Sequence, residues 1–179
     1  HSALRLLPDR MTLGPELMAR LNRHIFESSG SNKFITMVLA GLDAAQGRLN
    51  YLSAGHNPGV LARAGGRIEE LGAGGLPLGL LPGAEYTMEE VFLHPGDLLC
   101  LYSDGITECA APDDEEYELE RLIALLESRR EEPLEDILEA LDQEVTAFAD
   151  GLPQGDDQTV VLLRRNAVTT SADDPDTET

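Results

Sequence analysis

Three short loops hold the residues best suited to chemistry. Residues 103–108 read Ser-Asp-Gly-Ile-Thr-Glu and follow the most apolar strand-like run of the chain. Residues 155–159 read Gly-Asp-Asp-Gln-Thr and precede another apolar run, and residues 54–59 read Ala-Gly-His-Asn-Pro-Gly between two extended segments. If the strands carrying Asp104 and Asp156 are neighbours, two carboxylates far apart in sequence converge on one point. Two anions brought together out of water cost roughly several kcal/mol each unless a cation neutralises them. Oxygen donors with no adjacent His or Cys select a hard ion, Mg²⁺ or Mn²⁺ ahead of zinc. Such an ion polarises a phosphoryl oxygen and acidifies a bound water, which is the chemistry of phosphoester hydrolysis. Gly105 and Gly155 would permit close backbone approach. Each loop also has a plainer reading: Asp-Gly after a strand is a common turn, and Asp-Asp-x-Thr before a strand closes a loop through Asx hydrogen bonds.

The remaining candidates surround these loops. His56 could orient a phosphate or touch substrate, although a histidine in a Gly-His-Asn-Pro turn more often shapes the turn, and Asn57 before proline favours turn initiation. Thr107 and Glu108 follow Asp104 closely enough to support it. His24 lies near apolar helical positions and reads as structural, and His94 beside Pro95-Gly96 reads as an exposed turn residue. Cys100 sits in an apolar run as a buried thiol. With Cys109 it makes no zinc spacing and no disulfide framework, which points to an intracellular, cytoplasmic setting.

The elements that must position these loops are legible from periodicity. Pro15 opens a helical stripe of Leu17, Met18, Leu21 and Ile25, closed by Ser-Ser-Gly-Ser at 28–31. Residues 34–40 are apolar on both faces and predict a strand buried on both sides. A turn at 43–47 leads to a second strand over 48–54. Runs 60–64 and 67–71 flank Gly65-Gly66 as a hairpin, and runs 86–93 and 97–103 flank Pro95-Gly96 in the same way. Two amphipathic helices follow, one with Leu119, Leu122, Ile123 and Leu126, the other from Pro133 with Leu134, Ile137, Leu141, Val145 and Phe148. A last strand spans 158–163. Hairpins and helices in separate blocks predict an α+β fold with antiparallel sheet.

Composition bounds the function. The 179 residues are 42% hydrophobic and 26% charged, which suits one compact domain. Thirteen basic residues face thirty-three acidic ones, for a net charge of −20, and such a surface repels a nucleic-acid backbone. No apolar stretch reaches the length of a membrane span, so no direct membrane insertion is expected. Residues 108–120 carry seven carboxylates and no base, a solvated loop running into the next helix or, on a sharper reading, a partner-facing or substrate-discriminating segment. Residues 166–179 carry four more with little apolar content and predict a disordered acidic tail.

The ordered set of Phe-Ile-Thr at 34–36, Tyr-Leu-Ser-Ala-Gly-His-Asn-Pro at 51–58, Pro-Leu-Gly at 77–79, Gly-Asp-Leu-Leu-Cys-Leu-Tyr-Ser-Asp-Gly-Ile-Thr-Glu at 96–108, Glu-Arg-Leu at 120–122 and Asp-Asp-Gln-Thr at 156–159 resembles the bacterial SpoIIE/RsbU-like branch of PPM (PP2C-type) serine/threonine phosphatases. The resemblance covers nearly all of residues 1–165. It implies a sandwich of two antiparallel β-sheets flanked by helices, with a centre of two Mn²⁺ or Mg²⁺ ions at one end. It makes Asp104 and Asp156 metal ligands with Gly105 beside them, and gives Asp157 a loop-shaping role. It implies a phosphorylated anti-sigma-factor antagonist as substrate and an upstream sensor domain in the parent chain. The family's earlier Gly-Gly-Asp-x-x-Asp and Asp-x-x-Gly-x-Gly motifs are absent, and residues 1–5 read as mid-helix. The expectation is therefore the C-terminal portion of a phosphatase domain, with N-terminal strands missing, half a metal shell, sheet edges open to self-association as a homodimer, and no activity as an isolated piece. A phosphatase-like module that is catalytically dead and binds a partner is the alternative. A plain acidic calcium or magnesium binder explains the strand-end acids poorly and lacks EF-hand spacing.

Overall fold

A computed structural model describes residues 13–28, 33–72 and 74–166. The mid-helix reading of residues 1–5 lies outside these, as does the tail beyond 166. The elements are α1 (Pro15–Ser28), β1 (Met37–Asp43), β2 (Arg48–Ala54), β3 (Gly59–Ala62), β4 (Ile68–Leu71), β5 (Glu89–Phe92), β6 (Leu98–Tyr102), α2 (Asp104–Thr107), α3 (Glu118–Arg129), α4 (Leu134–Ala149) and β7 (Val160–Arg164). They form two antiparallel sheets, ordered β1-β2-β5 and β4-β3-β6-β7. No helix among the described residues is long and apolar enough to cross a membrane.

Alternation along the strands sorts side chains into three apolar layers. Leu52 and Ala54 on β2 meet Leu17, Met18, Leu21 and Ile25 of α1. Leu49 and Tyr51, on the opposite face of β2, meet Leu61 and Leu99 of the second sheet. Val60, Ala62, Leu98, Cys100 and Tyr102, on that sheet's other face, meet Leu122, Leu126, Ile137, Leu141 and Val145 of α3 and α4. Fully buried side chains such as Met18, Leu52 and Leu122 each contribute about 1.5–3 kcal/mol. Buried Asn22 fastens α1 laterally: its amide nitrogen donates to the Leu81 carbonyl at 2.7 Å and its oxygen accepts from Gly79 N at 2.8 Å. Burial raises the Cys100 thiol to about 12, in keeping with an inert core residue.

Three expectations change. The strand over 34–40 begins at Met37, and none of its residues is fully buried. Among the described residues β1 is the edge of its sheet, with only Met37 and Leu39 leaning on the α1 layer, and Phe34 and Ile35 are 58% and 46% exposed. The runs flanking Pro95-Gly96 are not a hairpin, because β5 pairs with β2 while β6 pairs with β3 and β7. At this turn Leu93 N donates to Gly47 of the first sheet's turn and Arg165 N donates to Asp97 O, so the chain crosses between sheets. His24 is exposed rather than packed among apolar neighbours.

The Gly65-Gly66 hairpin does form, with Ala62 opposite Ile68. Gly66 at φ +86° follows a turn closed by Gly66 N to Arg63 O at 2.8 Å, while Arg63 N donates to Arg67 O at 2.8 Å. This is a type I turn with a left-handed glycine, the second commonest kind of hairpin loop.

The crossing turn is held by a buried charge. Asp97 is 1% exposed and accepts from the Arg63 guanidinium at 2.7 Å, Ala64 N at 2.9 Å and His94 N at 2.7 Å. Burial alone would raise its carboxyl, and these hydrogen bonds with the Arg63 charge outweigh it and hold it below the ordinary value. Arg63 also donates to both oxygens of Glu69 and to the Phe92 carbonyl, so one guanidinium ties the two sheets together.

Candidate metal-binding end of the sandwich

At the end of the four-stranded sheet opposite Asp97, β6 leaves and β7 enters side by side. Tyr102 pairs with Val160, and the ladder continues one step as Ser103 N donates to Thr159 O at 2.9 Å. The Ser103 side chain closes the junction: its hydroxyl donates to Asp157 O at 2.8 Å and accepts from Thr159 N at 2.9 Å. With its hydroxyl so engaged, Ser103 makes no side-chain cap on α2, the single turn that follows. Sequence reading passed over Ser103. The signal available was a serine at the cap position of an Asp-Gly turn.

Gly105 fixes the spacing of the two acid loops. It is buried, and a Cβ there would lie 2.6 Å from Asp157 O and 3.2 Å from Asp156 O. Only glycine lets the α2 backbone seat against the loop that carries the second acid. Gly155, expected to serve the same purpose, has nothing within 4 Å of such an atom; its neighbourhood is open space, and close approach does not explain it.

Asp104 and Asp156 therefore stand on adjoining loops, both exposed. One oxygen of Asp104 accepts from Gly105 N at 3.0 Å and one of Asp156 accepts from Asp157 N at 2.6 Å, local bonds that fix each carboxylate to its own turn. Neither has an ion-pair partner among the described residues. Gln154 steadies the second loop by donating to Asp156 O at 2.7 Å. The Asp157 carbonyl serves Ser103 while its carboxylate faces solvent. Thr107 donates to Asp104 O at 3.3 Å, and Glu108 N donates to the same oxygen at 2.8 Å.

His56 and Asn57, half-buried, precede β3, whose start lies beside the end of β6 because Val60 pairs with Cys100. The third loop thus lies at the same end of the sheet. His56 Nδ1 is 3.3 Å from the Thr36 hydroxyl and its carbonyl accepts from Ser53, contacts that shape the loop. No hydrogen bond joins it to Asp104 or Asp156 among the described residues.

Carboxylate oxygens without His or Cys fit a hard divalent cation such as Mg²⁺ or Mn²⁺. The described residues supply two such acids on adjoining loops, and no group of three or more His, Cys, Asp or Glu at ligand spacing is found among them. The donor chemistry fits, and the set is partial. Beside it opens a cavity of about 420 Å³ between the α2 turn, the end of α4 and loop 151–158, with Gly105, Glu108 and Asp156 in its lining.

Known proteins share this fold. The model of the family described as Stage II sporulation protein E (SpoIIE) matches residues 1–166. The chain is 31% identical to Protein IcfG of Synechocystis over 133 residues, 74% of this chain and 21% of that protein. It is 29% identical to phosphoserine phosphatase RsbU of Bacillus subtilis over 167 residues, 91% of this chain and 48% of that protein. It therefore spans half or less of the length of these relatives. Its fold matches the SiaA PP2C domain of Pseudomonas aeruginosa with a TM-score of 0.73 at 20% identity, covering 84% of this chain and 59% of that one. With two antiparallel sheets, flanking helices and this family match together, the chain belongs to the SpoIIE family and has the fold of PP2C-type domains.

Proposed function

We propose that this domain hydrolyses phosphoserine or phosphothreonine on a signalling protein, using Mn²⁺ or Mg²⁺ held in part by Asp104 and Asp156. The observation that carries the reading is the seat of Gly105 against the Asp156–Asp157 backbone, which brings two acid loops from distant sequence to one strand end. A bound divalent cation supplies Lewis acidity toward a phosphoryl oxygen and toward water. The protein's part is placement. Ser103 and Gly105 set the separation of the acids, the local amide bonds orient the carboxylates, and Thr107 steadies the turn that presents Asp104. The likeness to RsbU, named a phosphoserine phosphatase, supports a phosphoserine substrate. Within that reading the substrate is a phosphorylated anti-sigma-factor antagonist, and a sensor domain elsewhere in the parent chain governs the reaction.

Phosphate release from a phosphoserine protein, with manganese or with chelator, tests this in the natural full-length protein. Manganese-dependent release that falls at least a hundredfold in Asp104→Ala and in Asp156→Ala is expected. Retained activity in either variant refutes the assignment. A second reading, a phosphatase-like module that binds a partner without catalysis, rests on the partial ligand set among the described residues. It predicts phosphoprotein binding with no release under any metal.

A further inference from the structure

The cavity at this end of the sheet shares Asp156 and Gly105 with the acid loops yet lies to one side of Asp104, against the end of α4. Its volume, about 420 Å³, falls in the range of roughly 300–1,000 Å³ typical of ligand pockets. One part of its lining is apolar: Val145 is 2% exposed, and Cys109 and Ala149 are half-buried. The Cys109 thiol, raised by burial, points its sulfur at the Val145 carbonyl 3.8 Å away and belongs to that part. Among the described residues, Glu108 and Asp156 are the only charged side chains lining the cavity, and both are acidic. Glu108 is exposed and has no ion-pair partner among the described residues.

We infer that this cavity receives the stretch of polypeptide next to the phosphorylated residue, taking one apolar side chain against Val145 and Ala149 and setting a Lys or Arg of the substrate against Glu108. The inference rests on the phosphatase reading for the position of the phosphate and adds what the site selects around it. Charge supports it. A phosphoserine dianion must approach a chain of net charge −20, and a cationic neighbour in the substrate offsets that repulsion where the charged groups of the cavity wall are carboxylates. An acidic flank meets Glu108 as a like charge.

Two fluorescent phosphoserine peptides that differ only in carrying Lys or Glu beside the phosphoserine, binding read by anisotropy, test the inference in the full-length protein. Manganese-dependent hydrolysis of p-nitrophenyl phosphate, too small to fill the cavity, reports the phosphate site separately. The expected result is about fivefold tighter binding of the Lys peptide, as one exposed ion pair of about 1 kcal/mol gives. Glu108→Lys should abolish or reverse that preference. Ala149→Trp, which fills the cavity, should weaken both peptides and leave p-nitrophenyl phosphate hydrolysis unchanged. Equal binding of the two peptides by the natural protein, or an unchanged preference in Glu108→Lys, overturns the inference even when hydrolysis is intact. Preserved discrimination with no hydrolysis of any ester leaves the cavity assignment standing and removes the phosphatase reading.

Discussion

Gly105→Ala isolates the contact on which the two acid loops depend. The added Cβ would lie 2.6 Å from the Asp157 carbonyl oxygen and 3.0 Å from its carbon, both backbone atoms that no rotamer change can move aside. Ordinary contact begins at 3.4 Å, so the 156–157 loop must retreat by about 0.8 Å. The φ of Gly105 lies outside the left-handed region, so the destabilising effect is steric. Overpacking of this kind costs about 1–3 kcal/mol. At about 2–4 °C per kcal/mol in a domain of this size, Tm should fall by several degrees. The larger effect is functional, because misplacing a reacting geometry by about 1 Å costs on the order of a hundredfold in rate. The assay pairs thermal unfolding with manganese-dependent phosphate release, and Gly155→Ala is the control: its new methyl meets nothing within 4 Å, so its stability should stay within about 0.5 kcal/mol of unchanged. Wild-type activity in Gly105→Ala, or equal losses in the two variants, would show that the loops are not set by this contact.

Other consequences concern the scaffold. Asp97→Ala strips the Arg63 guanidinium and two backbone N–H groups of their shared partner and should cost about 2–4 kcal/mol, read as a lower urea midpoint at unchanged m. Glu69 is held below its ordinary 4.5 by the Arg63 hydrogen bond, and Asp97 is held below its ordinary 3.8. A depressed folded-state value stabilises above the unfolded value, so their contribution is full above about pH 4.5 and is lost as pH falls through the lowered values. An acid unfolding curve on Arg63→Leu should therefore be flatter below about pH 4.5 than that of the natural protein; identical slopes contradict the assignment. Tyr117 is fully buried, donates to Glu144 at 2.8 Å and meets Phe148 edge-to-face at 5.5 Å, so Tyr117→Phe should cost about 1 kcal/mol and Tyr117→Ala about 3–5 kcal/mol by chemical denaturation.

The helices and most strands were legible because their signals are local. The stripe from Leu17 to Ile25, the second strand over 48–54 and the Gly65-Gly66 turn each carry their pattern within a few residues. The Pro95-Gly96 turn was misread because a turn sequence states that the chain reverses, not which sheet each arm joins. That choice is made by remote partners, Gly47 on one side and Arg165 on the other. The run 34–40 was misread because apolar content on both faces does not reveal whether anything covers them. At the site, Asp104 and Asp156 stood out by residue type and place at strand ends. Ser103 did not, since its partners at 157 and 159 exist only once β6 and β7 pair. The asymmetry of the glycines was equally hidden, because close approach depends on what the fold puts opposite.

Manganese affinity in a double-mutant cycle of Asp104→Asn and Asp156→Asn, measured by titration calorimetry on the full-length protein, tests most directly whether the two acids serve one cation centre. Shared ligation predicts that each single change weakens binding by at least about tenfold and that the double change costs well short of the sum in free energy. Affinity untouched by either change, or two losses that simply add, would mean that the adjoining loops do not hold a common metal site.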